Sequence, residues 1–309
     1  MDCRWLVVVA LGACGTDGTG TVDPLPPPPK GEGIQVAFSA TAAPGEEVWK
    51  CNVTDLPNPG YLEVNHVKSV QNDTMHHMDL MAIALAAPNL AIGEYDCAPL
   101  YEEYPSLMED GITIYAAQQA EQQITLPEGV TASLLPKLRV MHEIHFVNPT
   151  DEPVELYSKI NAYKYEGDLV TTIWGGAVRD TDITIPANAS GHVEWSRCVM
   201  NSDVDVMFLS THTHELARLA EIRRFDGTTT GELVYTNDDW HAPPLKDFTA
   251  APMRVPAGQG FEFSCHFDNP KSVPVNWGFL ATDEMCQIAI VFTPGETTRT
   301  CEVVESGTR

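Results

Sequence analysis

The sequence predicts an all-β protein, and three observations carry that prediction. Runs at 34–39, 61–67, 138–147, 154–163, 192–199, 204–210, 261–267 and 286–293 alternate or mass β-branched and aromatic residues in the manner of strands. Turn chemistry separates them, as in Asn58-Pro59-Gly60, Asn148-Pro149-Thr150, Pro256-Ala257-Gly258 and Asn269-Pro270-Lys271, which is the punctuation of antiparallel sandwiches. No long amphipathic helical pattern competes with these runs.

Taken in order, the chain opens with a segment of export type. Arg4 supplies a basic start and 5–11 an apolar core, and Leu11-Gly12-Ala13-Cys14 matches a bacterial lipobox, so 1–14 is read as a lipoprotein signal with Cys14 as the lipid attachment point. Residues 15–33 are rich in Gly, Thr and Pro, including Pro26-Pro27-Pro28-Pro29, and cannot bury enough apolar surface to fold alone; they are expected to form a disordered, extended tether. The remaining length suits two domains, which we divide at Gly167: 34–166, ending just after the run 154–163, and 167–305. The expected location is the bacterial cell envelope, exported and held to a membrane only by its lipid.

Forty-three acidic residues against 18 basic ones give a formal charge of -25, which repels nucleic acid and anionic membrane surfaces. Partners are therefore expected to be neutral, cationic or metallic. Six cysteines remain once the leader and Cys14 are set aside: Cys51, Cys97, Cys198, Cys265, Cys286 and Cys301. In an exported chain these are disulfide partners, and none shows the paired spacing of a zinc site. Of the fifteen connectivities that six cysteines allow, pairing Cys51 with Cys97 is the economical choice, with two bridges left open among the other four.

The candidate ligands are two histidine pairs. On a strand, His212 and His214 project to one face while Thr213 faces away, giving two imidazoles aimed at one ion. His76 and His77 are adjacent, so a shared ion requires a bulge or a strand end there. His145 offers a third imidazole for that pair, and His142, three positions earlier, is expected to face away from it. Met285 offers a thioether, a soft ligand that favours copper(I) over zinc, calcium or magnesium. The adjoining Cys286 would alternate to the other face, where a disulfide can hold the methionine rigidly. His66, His142, His192, His241 and His266 are read as surface or core residues without a metal role.

The ordered set of motifs resembles the copper type II, ascorbate-dependent monooxygenases, the family of peptidylglycine α-hydroxylating monooxygenase and dopamine β-monooxygenase. The likeness rests on Cys51 with Leu56-Pro57, His76-His77-Met78, Leu126-Pro127-Glu128-Gly129-Val130 and Glu143-Ile144-His145-Phe146 with Asn148-Pro149. In the second half it rests on Cys198, His212-Thr213-His214, Cys265, Trp277-Gly278-Phe279 and Asp283-Glu284-Met285-Cys286. The resemblance implies two jelly-roll-like sandwiches facing each other across a solvent-filled cleft, with one copper each. An electron-transfer copper would be held by His76, His77 and His145, and an oxygen-binding copper by His212, His214 and Met285, the catalytic trio. It further implies the bridges Cys198 with Cys301 and Cys265 with Cys286. The expected reaction is hydroxylation of an activated C–H bond of a small organic substrate, using O2 and a reductant such as ascorbate.

Peptidylglycine enzymes carry an arginine two residues before the His-x-His pair and a tyrosine four residues after the methionine, and these hold the substrate carboxylate. Ser210 and Ala289 stand there instead, which argues against a glycine-extended peptide substrate. The departure also leaves open an envelope lipoprotein that binds or handles copper without turnover. A third reading is a metal-free surface protein of adhesive or glycan-acting type.

Overall fold

The computed structural model describes residues 24–73, 75–295 and 301–309, and within them the chain is built almost wholly of antiparallel strands. The leader, with its proposed lipid site at Cys14, and the first part of the expected tether lie outside the described residues. The tether's last part lies against folded protein. Leu25 is buried, and the carbonyls of Leu25 and Pro26 accept hydrogen bonds from the side chains of Gln35 and Asn161.

Two sheets form the first sandwich. One runs Gly33–Ala42, Val154–Lys164, Leu62–Gln71, Val130–Leu134, with Glu121–Thr125 also paired to Leu62–Gln71. The other runs Gly93–Asp96, Glu47–Asp55, Arg139–Val147, His77–Ala82, Ile112–Ala117. Between the sheets lie Val36, Phe38, Val48, Leu80, Val140, Ile144, Phe146, Leu156 and Ile160. The second sheet is covered on its other face too, where Trp49, Val53, Met81, Met141 and Leu100 of the short helix Cys97–Glu103 pack together. This double cover is why Arg139–Val147 is buried at nearly every position and reads as a continuous run rather than an alternation.

The second sandwich pairs Trp174–Asp180, Cys286–Thr293, Val204–Thr213 and Lys246–Asp247 in one sheet, with Met253–Val255 added to Val204–Thr213. Its partner sheet runs Thr230–Asn237, Ala217–Phe225, Gly260–Phe267, His192–Met200, Cys301–Thr308. Their shared core contains Ile222, Phe261, Phe263, Ile288, Ile290 and Phe292. The chain passes from one sandwich to the other after Thr171–Thr172, which pairs in parallel with Val130 and Thr131. Gly129, at φ +79°, makes the turn that holds this crossing: its carbonyl accepts the N–H groups of Val170 and Thr171, and a β-carbon at Gly129 would strike the Val170 side chain.

The structure contains the disulfides Cys51–Cys97, Cys198–Cys301 and Cys265–Cys286, the pairing anticipated. The first ties the site-bearing sheet to the helix over it, the second staples two neighbouring strands of one sheet, and the third joins the two sheets of the second sandwich. Cys51–Cys97 closes a 46-residue separation, so replacing both cysteines with serine is expected to cost about 2–4 kcal/mol. Guanidinium unfolding under non-reducing conditions measures this; an unchanged midpoint would contradict it.

Candidate metal centre

Register places the first histidine group. Antiparallel pairing sets His77 opposite His145 and His145 opposite Trp49, and the next rung on that face is Asp79, Glu143 and Cys51. Paired residues share a face, so the imidazoles of His77 and His145 stand side by side over the carboxylate of Glu143. His76 lies just before the strand His77–Ala82, where its backbone N–H donates to the His145 carbonyl at 2.9 Å. This strand end lets adjacent histidines reach the same space. Ring centroids of the three lie 5.0 to 5.3 Å apart. His142 faces the opposite side, where its Nε2 meets Ser158 Oγ at 2.8 Å and its ring lies near Phe38.

The second group sits on the outer face of the sheet that carries Val204–Thr213. His212 is opposite Gln287, which is opposite Arg179; two residues along, Ser210 is opposite Ala289. Both positions where the peptidylglycine enzymes hold a carboxylate are thus cross-strand neighbours beside His212, and neither is charged. Arg179 is a cation on the His212 rung, and its Nε donates to Gln287 Oε1 at 3.0 Å. His214 lies just past the strand end, 5.3 Å from His212 between ring centroids. Glu284 organises the methionine side: its carboxylate accepts the backbone N–H groups of His214 at 3.0 Å, Leu216 at 2.6 Å and Met285 at 3.2 Å. One buried carboxylate therefore fixes both His214 and Met285.

The two groups do not face each other across solvent, as the resemblance implies. The ring of His76 lies 5.1 Å from His212 and 4.9 Å from His214, and His77 lies 5.3 Å from His212. Docking of the two sandwiches causes this. Leu126 and Val130 of the first pack with Met207 and Phe208 of the second, while Trp49 stacks on Phe279 at 5.4 Å. Gln118 reaches across to His212, and Glu47 accepts hydrogen bonds from both His145 at 2.7 Å and the Ala281 N–H at 3.0 Å.

Hydrogen bonding assigns the ring nitrogens. His77 Nε2 donates to Glu143 Oε1 (3.1 Å) and His145 Nε2 to Glu47 Oε1, so each keeps a lone pair on Nδ1. His212 Nδ1 donates to Gln118 Oε1 (3.0 Å) and His214 Nδ1 to the Asp283 carbonyl (3.1 Å), so each keeps a lone pair on Nε2. His77 Nδ1, His76 Nε2 and His214 Nε2 are buried without a hydrogen-bond partner. Ligand atoms of His76, His77 and His145 lie within 4.8 Å of one another, as do those of His76, His212 and His214. Orphaned buried nitrogens backed by carboxylates and carbonyls are what a metal-binding imidazole needs. The residues fit a metal ion.

Glu143 is more than a neighbour of His77. It also accepts from Trp49 Nε1 and Tyr101 Oη, both at 2.7 Å. Burial pushes its acidity toward the neutral form, but the bonds from His77, Tyr101 and Trp49 outweigh that and hold it ionised, below the usual range. His77 moves the other way: burial opposes its charge, and Glu143 and Asp79 outweigh the burial to raise its pKa. Burial first, then neighbouring imidazoles, keeps His76 and His212 well below their ordinary value; burial lowers His214 to about 3 and His142 to about 4, and lowers His145 as well. Burial raises Glu284 to about 7 and Asp79 to about 6.

These shifts set the acid stability of the metal-free protein. Five histidines bind protons less readily when folded, so their contribution is lost as pH falls below 6.5. His77, Glu284 and Asp79 have raised values and oppose the trend, because they bind protons more readily when folded. With His66 also lowered and Asp180 also raised, six against four leave a net loss, so the urea midpoint of metal-free protein is expected to fall between about pH 7 and about pH 5. A midpoint that rises over that range would contradict this balance.

The structure brings His76, His77, His145, His212 and His214 into one cluster and places Met285, 4% exposed, on the carboxylate that also holds His214. Of the histidines read as bystanders, His66 pairs with Thr125, His192 with Glu194, and His241 stacks on Trp240. The sequence reading did not anticipate Glu47, Gln118, Arg179 or Trp240, whose ring lies 5.6 Å from His76.

Comparison with known proteins adds a family. Residues 173–307 match the model of the copper type II ascorbate-dependent monooxygenase C-terminal domain, a span that includes His212, His214 and Met285. No curated protein matches the chain. Among solved structures, PNGF-II is similar at 9% identity and TM-score 0.35, covering 85% of this chain, which spans 65% of that one. The major capsid protein P2 from bacteriophage PM2 is similar at 8% identity and TM-score 0.33, covering 86% of this chain and 100% of that one.

Proposed function

We propose that this chain is a copper-dependent monooxygenase, because residues 173–307 match the model of the copper type II ascorbate-dependent monooxygenase C-terminal domain. It would hydroxylate an activated C–H bond of a small organic substrate with O2 and a reductant such as ascorbate. The observation that carries this reading is the pair His212 and His214 inside the matched span, each with Nδ1 engaged and Nε2 left for a metal. His212, His214 and Met285 would hold the oxygen-binding copper, and His76, His77 and His145 the copper that delivers an electron. When bound, copper supplies one-electron redox chemistry and a place for dioxygen.

The chain's own residues do the rest. Glu143 and Glu47 orient His77 and His145 and raise their basicity as ligands; Gln118 and the Asp283 carbonyl do the same for His212 and His214. Docking of the two sandwiches shields the cluster from bulk water. Arg179 would attract an anionic substrate group, since Ser210 and Ala289 offer none.

Metal analysis together with ascorbate-dependent oxygen uptake over a substrate panel tests the proposal. Two coppers per chain with substrate-dependent uptake are expected. A chain that binds no copper would overturn it. The uncharged pair Ser210 and Ala289 favours a second reading, a copper-handling protein without turnover; two coppers without uptake for any substrate would support that one. The reading of Cys14 as a lipid attachment point supports an envelope location, which membrane fractionation of wild type against Cys14→Ala would test.

A further inference from the structure

Resting on the reading that copper binds both histidine groups, we propose that His76 is shared between them, binding one ion through Nδ1 and the other through Nε2. The two groups would then form one imidazole-bridged pair rather than two independent centres.

Hydrogen bonding carries this. Each of the other four histidines has its far nitrogen capped, by Glu143, Glu47, Gln118 or the Asp283 carbonyl. That leaves each with one nitrogen for a metal. His76 has no such cap: its Nδ1 lies 3.3 Å from His145 Nδ1, and its Nε2 is buried without a partner.

The donor sets divide by atom. His77 and His145 offer Nδ1, and His76 Nδ1 lies beside them. His212 and His214 offer Nε2, and the ring of His76 is as close to theirs as to those of its own group. Among the described residues, His76 alone belongs to both three-histidine groups whose ligand atoms lie within 4.8 Å. His145 keeps its lone pair on Nδ1, so the proton between the two rings belongs to His76 in the metal-free protein. Loading both ions would release that proton to solvent, leaving a lone pair at each end of the ring. Elsewhere the backbone holds His76 in place, through its N–H to the His145 carbonyl, and the Trp240 ring lies edge-on to it at 5.6 Å.

A shared imidazole couples the unpaired electrons of two copper(II) ions, which independent sites do not do. The test is a titration of purified, metal-free, full-length protein with copper(II), followed by low-temperature electron paramagnetic resonance and metal analysis. The expected result is two coppers per chain with a weaker integrated signal at two equivalents than at one. In His76→Ala, the signal is expected to account for all the copper retained. A signal that doubles from one equivalent to two would overturn the bridge and leave the two-site reading standing. Binding of fewer than two coppers by wild type would overturn both. Should His76→Ala fail to fold, the wild-type titration still decides the question.

Discussion

Met285→Ile is expected to lower ascorbate-dependent oxygen uptake by at least about 100-fold, the upper range for residues that merely support a metal ligand. Isoleucine nearly conserves volume in this buried position, so the fold should lose less than about 1.5 kcal/mol. The backbone is unaffected by the exchange: the N–H of residue 285 still donates to Glu284, and Cys286 still bridges to Cys265. What disappears is the thioether, a donor that favours reduced copper and that isoleucine cannot replace. Bound copper should fall while the three imidazoles at His76, His77 and His145 stay intact. Full turnover in the variant, with copper content unchanged, would remove Met285 from the proposed oxygen site.

Glu284→Ala should be the most destabilising single change near the site. Its carboxylate is fully buried and accepts three backbone N–H groups, from His214, Leu216 and Met285. Alanine leaves all three without an acceptor, and each orphaned donor costs about 1–3 kcal/mol. Even at the low end the sum is about 3 kcal/mol, or roughly 6–12 °C in melting temperature. Glu284→Gln retains one acceptor oxygen and should fall between wild type and alanine. Glu215→Ala, one residue beyond His214 but exposed, should stay within about 0.5 kcal/mol. Calorimetry on the three variants separates the cases, and equal melting temperatures for Glu284→Ala and Glu215→Ala would defeat the argument.

Much of this was legible in the chain because its signals are local. The run 286–293 and the strand Cys286–Thr293 coincide, and Val204–Thr213 extends the run 204–210 far enough to include His212, with His214 just past its end. Ala217–Phe225 does not read as a strand because Glu221, Arg223 and Arg224 interrupt its apolar residues, even though Ala220, Ile222 and Phe225 are buried in the core. Glu47–Asp55 likewise hides behind its mixed polar spacing. At the site, His212 and His214 declare themselves by period two, and Glu143 lies two residues from His145 on the same face. Glu47 and Gln118 carry no such mark: they lie 98 and 94 residues from the histidines they support. The separation between the histidine groups is equally invisible, since docking of two sandwiches sets it and no short stretch of sequence encodes that.

Glu47 has a bearing on the order in which the molecule comes together. The two sandwiches have separate cores and separate disulfides, so each has the means to fold by itself. Yet the carboxylate that orients His145 also accepts an N–H from Ala281, and the amide that orients His212 comes from Gln118 in the other half. The histidines therefore acquire their full support only after the halves have docked, and the proposed copper uptake would be a clock for assembly rather than for folding. In a refolding experiment, β-structure is expected to recover first and copper binding later, with the interval between them measuring how long two finished halves take to find each other.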